Sequence, residues 1–141
     1  MYNYMCRKGK RRENREGDTF CMRESGEMYL ETILILQSKK TMVRAIDVAE
    51  EMGLSRPSVS RGMAKLRESG CITVAEDGSL SFTEKGREIA GKIYERHQVL
   101  SSLFRKLGVP EDIAADDACR IEHVVSDETF AALKACEKTL K

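Results

Sequence analysis

The chain of 141 residues is marked first by what it lacks. It has no Cys-x-x-Cys pair, no apolar signal-peptide core at its start and no run approaching a membrane span in length. Its five cysteines (Cys6, Cys21, Cys71, Cys119 and Cys136) are odd in number and scattered, so no disulfide framework is evident. Together these absences predict a reduced, cytoplasmic protein with no membrane partner. No glycine-rich phosphate loop and no nucleophile motif appears either, and an enzyme is not expected. Net charge is nearly absent as well: the formal value is +1, so the chain as a whole does not announce a polyanion as partner.

The distribution of charge says more than the total. Residues 39–67 hold seven Lys/Arg against three acids, leaving +4, whereas residues 110–141 hold four bases against eight acids, leaving −4. A basic block followed by an acidic block suggests that one part meets a polyanion and the other does something else. The length suits one domain, or a small domain with an appendage, and suffices to bury a core without disulfides.

Residues 1–23 are polar and basic around Arg7-Lys8-Gly9-Lys10-Arg11-Arg12, and read as a flexible segment: an arm against phosphates or a solvated tail. A helix is expected from Ser25 as cap, with Leu30, Ile33, Leu34 and Gln37 on one face. Residues 44–52 predict a second helix with Ile46, Val48 and Ala49 inward and Gly53 as its stop. Ser55 then caps a third, with Pro57 in its first turn and Val59, Met63 and Leu66 as its buried stripe.

Helix, turn through Gly53, then a helix opening on small polar and basic residues is the helix-turn-helix pattern. Its second helix would present Ser55, Arg56, Pro57, Ser58, Ser60 and Arg61, with Lys65 beyond and Arg44 on the preceding helix, to double-stranded DNA. The rival reading is an ordinary helical hairpin with a solvated basic face. Two β-like runs, 71–75 and 79–83, flank Glu76-Asp77-Gly78, and a hairpin directly after a recognition helix is a wing. Thr83 should cap a long helix whose apolar stripe runs Ile89, Ile93, His97, Leu100, Phe104 and Leu107. Gly108 ends it. Pro110-Glu111-Asp112 opens the next helix, with Ile113, Ile121, Val124 and Val125 as its apolar side, and Ser126-Asp127-Glu128 starts the last.

The expected fold is therefore mainly α: a winged helix-turn-helix DNA-binding domain over residues 24–83, then a helical metal-binding and dimerisation domain over 84–141. The metal expectation begins with Cys119, Glu122 and His123, which stand at i, i+3 and i+4. On a helix, that spacing puts thiolate, carboxylate and imidazole on one face. Such donors suit a borderline transition metal better than Ca(II) or Mg(II). The same spacing also arises on a surface helix that buries Cys119 as a small apolar residue.

In this order the pieces resemble the metal-dependent repressors of the diphtheria toxin repressor and manganese transport regulator type. The resemblance rests on Glu27-Met28-Tyr29-Leu30-Glu31-Thr32-Ile33, Ser55-Arg56-Pro57-Ser58-Val59-Ser60, Leu80-Ser81-Phe82-Thr83-Glu84-Lys85-Gly86 and Asp117-Ala118-Cys119-Arg120-Ile121-Glu122-His123. It implies a primary metal site of the iron type made of Met28, Cys119, Glu122 and His123. The manganese branch has Asp and Glu where this chain has Met28 and Cys119, so two sulfurs favour Fe(II), with Mn(II), Zn(II), Co(II) or Ni(II) as further activators. The iron branch's ancillary site keeps only His97 here, because Ser101 and Ala115 stand at its other positions. Glu31 and His97 match ligand positions of the manganese branch, which makes a candidate second site with Glu122.

The resemblance further implies a homodimer through the last two helices, with Ile121, Val124, Phe130 and Leu133 as contacts, docked on palindromic operator DNA. Many iron-type members carry a C-terminal SH3-like domain, and this chain, ending at Lys141, is expected to be a short form without it. The expected function is an Fe(II)-responsive transcriptional repressor. The alternatives are a Mn(II)- or Zn(II)-responsive member of the same family, or a metal-independent winged-helix regulator sensing oxidants through Cys71 or Cys119.

Overall fold

The computed structural model describes the backbone of residues 18–141 and the side chains from Gly26 onward. Most of the basic segment expected over residues 1–23 lies outside the described residues. Six helices and two strands follow: α1 (Asp18–Lys39), α2 (Ala45–Met52), α3 (Arg56–Glu68), β1 (Ile72–Val74), β2 (Leu80–Phe82), α4 (Glu84–Lys106), α5 (Glu111–Ile121) and α6 (Asp127–Thr139). The described residues fall into two compact units, one ending at Gly91 and the other beginning at Lys92.

In the first unit, α1 starts seven residues before the expected cap at Ser25, which lies inside the helix. Nothing between Asp18 and Ser25 breaks a helix, and serine is tolerated in one, so an N-cap residue type is no proof of an N-terminus. From Tyr29 to Leu36 the helix is buried nearly all round: only Leu34 is partly exposed. That goes beyond the single stripe read from the sequence, and it is how a central helix behaves. Val48, Val59 and Ile72 (each 1% exposed or less) close over Ile33, and each such burial stabilises the fold by about 1.5–3 kcal/mol.

Short-range signals place the next elements. Asp47 accepts from the Arg44 backbone N–H at 2.9 Å ahead of α2, and Gly53 ends that helix at φ 64°. Ile46 is 38% exposed rather than inward, because an eight-residue helix buries only the narrow face carrying Val48 and Ala49. The Ser55 hydroxyl accepts from the Ser58 N–H at 3.3 Å and caps α3, where Pro57 takes a first-turn position whose N–H would lack a helical partner. Val59, Met63 and Leu66 form its buried stripe as the spacing predicts.

The wing is a two-stranded antiparallel hairpin with Ile72 opposite Phe82 and Val74 opposite Leu80. Gly78 at φ 85° completes its turn, with Gly78 N–H on the Ala75 carbonyl and Ala75 N–H on the Ser79 carbonyl. Leu80 N–H also donates to the Val43 carbonyl, which ties the wing to the chain entering α2. Thr83 caps α4 through a 3.1 Å bond from Gly86 N–H. Gly86 has no substitute: a Cβ there would lie 1.8 Å from the Cys71 carbonyl oxygen.

In the second unit, Ile93, His97, Leu100 and Leu103 form the buried side of α4. Leu107 lies beyond the helix and is 62% exposed, so the stripe turns through Leu103 instead. On α5 the buried residues are Ala114, Ala118 and Cys119, while Ile113 (48%) and, in the turn beyond its end, Val124 (55%) are exposed. The apolar side predicted from the large residues is thus displaced towards small ones, which allow close packing. Ser126 caps α6 by accepting from Thr129 N–H at 3.2 Å.

Candidate metal centre and nucleic-acid interface

The candidate nucleic-acid face belongs to the first unit. Because Val59, Met63 and Leu66 turn one side of α3 into the core, the helix periodicity turns Arg56, Pro57, Ser60, Arg61 and Lys65 to solvent. Ser55 and Arg44 are exposed as well, and Ser58 is half-buried. A local chain of hydrogen bonds organises the start of α3: Ser55 Oγ donates to Ser58 Oγ at 2.8 Å, and Arg61 donates to Ser58 Oγ at 3.4 Å. Three hydroxyls and two guanidiniums at one exposed helix end suit phosphates and guanine edges.

The candidate metal ligands divide between the units. Met28, half-buried, and Glu31, fully buried, stand on α1 in the first. Thr32 Oγ donates back to the Met28 carbonyl at 2.8 Å. His97, Cys119, Glu122 and His123 stand in the second.

There α5 ends at Ile121, so the expectation of one helix carrying Cys119, Glu122 and His123 needs correcting. Glu122 keeps helical dihedrals (φ −54°, ψ −29°) and its N–H still reaches the Ala118 carbonyl at 3.0 Å, whereas His123 begins the turn towards α6. The acids and small residues that favour α5 run out there, and Val124 and Val125, both β-branched, continue it poorly.

The centre of this cluster is the Glu122 carboxylate, which has no solvent exposure. One oxygen lies 2.9 Å from His97 Nδ1 and the other 3.3 Å from His123 Nε2. The side chains of both histidines are almost wholly buried (3% and 1% exposed). Cys119 is buried near the end of α5, one turn before Glu122 and His123 in the chain. A carboxylate taken wholly out of water is costly unless cations or strong donors meet it. Two imidazoles on one buried carboxylate are donors that a divalent transition metal takes, and these residues are of a kind to fit such an ion. His97, which on its apolar stripe reads equally well as a hydrogen-bonded core residue, is engaged with a candidate ligand. Of the expected dimer contacts, Ile121, Phe130 and Leu133 are half-buried and Val124 is exposed.

Sequence reasoning missed Arg96. Its guanidinium donates to the main-chain carbonyls of Glu122 (3.1 Å) and Val125, and to the Asp127 carboxylate. The signal available was only its position directly before His97. Among the described residues, no helix is long and apolar enough to cross a membrane.

The family model described as the iron dependent repressor, N-terminal DNA binding domain, matches residues 22–80. That described as the iron dependent repressor, metal binding and dimerisation domain, matches residues 83–140. The chain is 35% identical to the diphtheria toxin repressor of Corynebacterium diphtheriae over 106 residues, covering 74% of this chain and 47% of that protein. It is 33% identical to the iron-dependent repressor IdeR of Mycobacterium tuberculosis over 106 residues, covering 74% and 46%. It is equally 33% identical to the transcriptional regulator MntR of Escherichia coli over 112 residues, covering 79% and 72%. The chain thus spans about half the length of the first two. Among solved structures, a manganese-dependent transcriptional repressor in complex with manganese superposes with a TM-score of 0.74 at 30% identity, covering 80% of this chain and 52% of that one. These relatives are named as repressors and regulators, not as enzymes, and both iron and manganese appear among their names.

Proposed function

Since the chain belongs to the iron-dependent repressor family, we propose that it is a divalent-metal-dependent transcriptional repressor that binds operator DNA as a homodimer. The observation that carries this reading is the buried Glu122 carboxylate between His97 and His123, in the same chain as an exposed basic helix end on α3. Imidazole and carboxylate donors converging in a buried setting are of the kind that hold a divalent transition metal ion.

The primary ligands in this reading are Met28, Cys119, Glu122 and His123, with Glu31, His97 and Glu122 as a second set. Two sulfur donors make Fe(II) the preferred ion over Mn(II). With donors drawn from two units, metal affinity exists only where the chain brings them together, so the ion shifts the population towards one arrangement. DNA affinity then rises to the extent that this arrangement is the DNA-competent one. Ile121, Val124, Phe130 and Leu133 supply the contacts to the second copy, and Arg44, Ser55, Arg56, Pro57, Ser58, Ser60, Arg61 and Lys65 meet a palindromic duplex. Such a protein acts in the cytoplasm. A regulator sensing oxidants through Cys71 or Cys119 has less support, because both thiols are buried, at 4% and 5% exposure.

The test is anaerobic DNA-binding anisotropy with a duplex from the gene's own upstream region, at fixed salt. The protein is titrated metal-free and then with Fe(II), Mn(II) and Zn(II). Activation by Fe(II) well above that by Mn(II) is expected. Preference for Mn(II) would move the selective site to Glu31 and His97, and tight binding without metal would overturn the metal switch.

A further inference from the structure

Glu122 is held twice, by two consecutive residues of α4. His97 meets its carboxylate at 2.9 Å, and Arg96 donates to its main-chain carbonyl at 3.1 Å. The same guanidinium nitrogen also donates to the Val125 carbonyl, and its other terminal nitrogen reaches Asp127 in the first turn of α6. The guanidinium carbon lies 5.2 Å from the centre of the Phe130 ring. Four attachments thus converge on one side chain that is only 12% exposed.

Their distribution is what matters. Residues 122–125 form the turn between α5 and α6, where carbonyls have left one helix and not entered the next. Within it, Val124 and Val125 N–H groups are taken by the Ile121 carbonyl, but the Glu122 and Val125 carbonyls point to Arg96. A planar fork of fixed donors can hold two carbonyls and a carboxylate at set angles, which a lysine ammonium on a flexible stem does less well.

We propose that Arg96 is a positioning residue for metal binding: it fixes the backbone of the 122–125 turn so that the Glu122 and His123 side chains are preset for the ion. It touches the main chain of one ligand and the residues beyond the other, and it is not itself a ligand. Groups that orient ligands in this way typically govern metal affinity by tenfold to a hundredfold. This inference rests on the metal-dependent reading of the same cluster.

The experiment uses the full chain and Co(II) alone as probe, following the visible ligand-field absorption anaerobically. Far-UV circular dichroism and thermal melts of the metal-free protein run in parallel. Arg96→Met, which keeps the apolar stem, should weaken Co(II) binding by about tenfold or more and alter the absorption band. Arg96→Lys should weaken it less. A residue that merely holds the fold would lower the melting temperature and leave the Co(II) affinity and spectrum of the folded protein unchanged, and that result would overturn the proposal. Should Arg96→Met fail to fold, wild-type affinity and spectrum in Arg96→Lys would overturn it equally. If the unmodified chain takes up no Co(II), the metal reading itself fails, which is a different outcome from unchanged binding in the variants.

Discussion

The start of α3 and the turn after α5 are both short, polar and functional in this reading, yet they are built in opposite ways. The α3 face is exposed, and its ordering bonds are local: Ser55, Ser58 and Arg61 meet within six residues. The 122–125 turn is centred on a fully buried carboxylate, and its side-chain bonds come from 25 to 29 residues away on α4. Exposed sites can lose a side chain and leave the scaffold standing. Buried ones couple each ligand to the packing, so their variants act on affinity and stability together.

That contrast can be attacked at several points. Glu122→Ala should have the largest effect, abolishing metal stimulation of DNA binding in anisotropy titrations, because it removes the carboxylate on which both imidazoles converge. Retained stimulation would mean that the buried cluster is not the metal centre. Next comes Gly86→Ala, whose Cβ would meet the Cys71 carbonyl backbone. It should cost the first unit about 3 kcal/mol in chemical denaturation. Gly91→Ala, on the same helix with nothing within 4 Å, should instead be neutral or stabilising by up to about 1 kcal/mol.

Arg56→Ala should weaken DNA binding by about 1–3 kcal/mol while melting as the parent does, as an exposed side chain permits. A matching loss of stability would erase the distinction between the two regions. The smallest effect concerns acid. Bonds from Lys106 and Ser102 hold the Glu137 carboxyl below the usual carboxylate range. Its contribution is therefore present above the unfolded-state value and lost as pH falls through the depressed folded value. Glu137→Gln should lower stability slightly near neutrality, and its difference from the parent should vanish as pH falls through the depressed value.

Legibility in the sequence follows the same division. The elements signalled within a few residues lie where they were expected: Gly53 after α2, Ser55 and Pro57 opening α3, Asp77-Gly78 in the hairpin, Thr83 and Ser126 as caps. What depends on packing was less readable. The exposure of Ile46, Leu107 and Ile113 is decided by which face a helix turns inward, while the early start of α1 and the end of α5 before His123 lack the cap and stop residues that mark the other helix ends. Cys119, Glu122 and His123 were visible as candidates by spacing alone. Their burial was not, nor was the partnership of Glu122 with His97, because an imidazole on an apolar stripe looks the same with or without a carboxylate opposite. Arg96 was marked only by standing directly before His97.

Over the 13 residues of α6 no side chain is fully buried, and the Arg96–Asp127, Glu95–Lys134 and Lys106–Glu137 pairs are spaced along its length. Ion pairs with solvent access contribute little each, and a helix with no fully buried side chain opens locally at smaller free-energy cost than a central one. Amide hydrogens of α6 should therefore exchange with deuterated solvent long before those of residues 29–36 in α1. The last helix of the chain can fray and re-form while the rest stays folded.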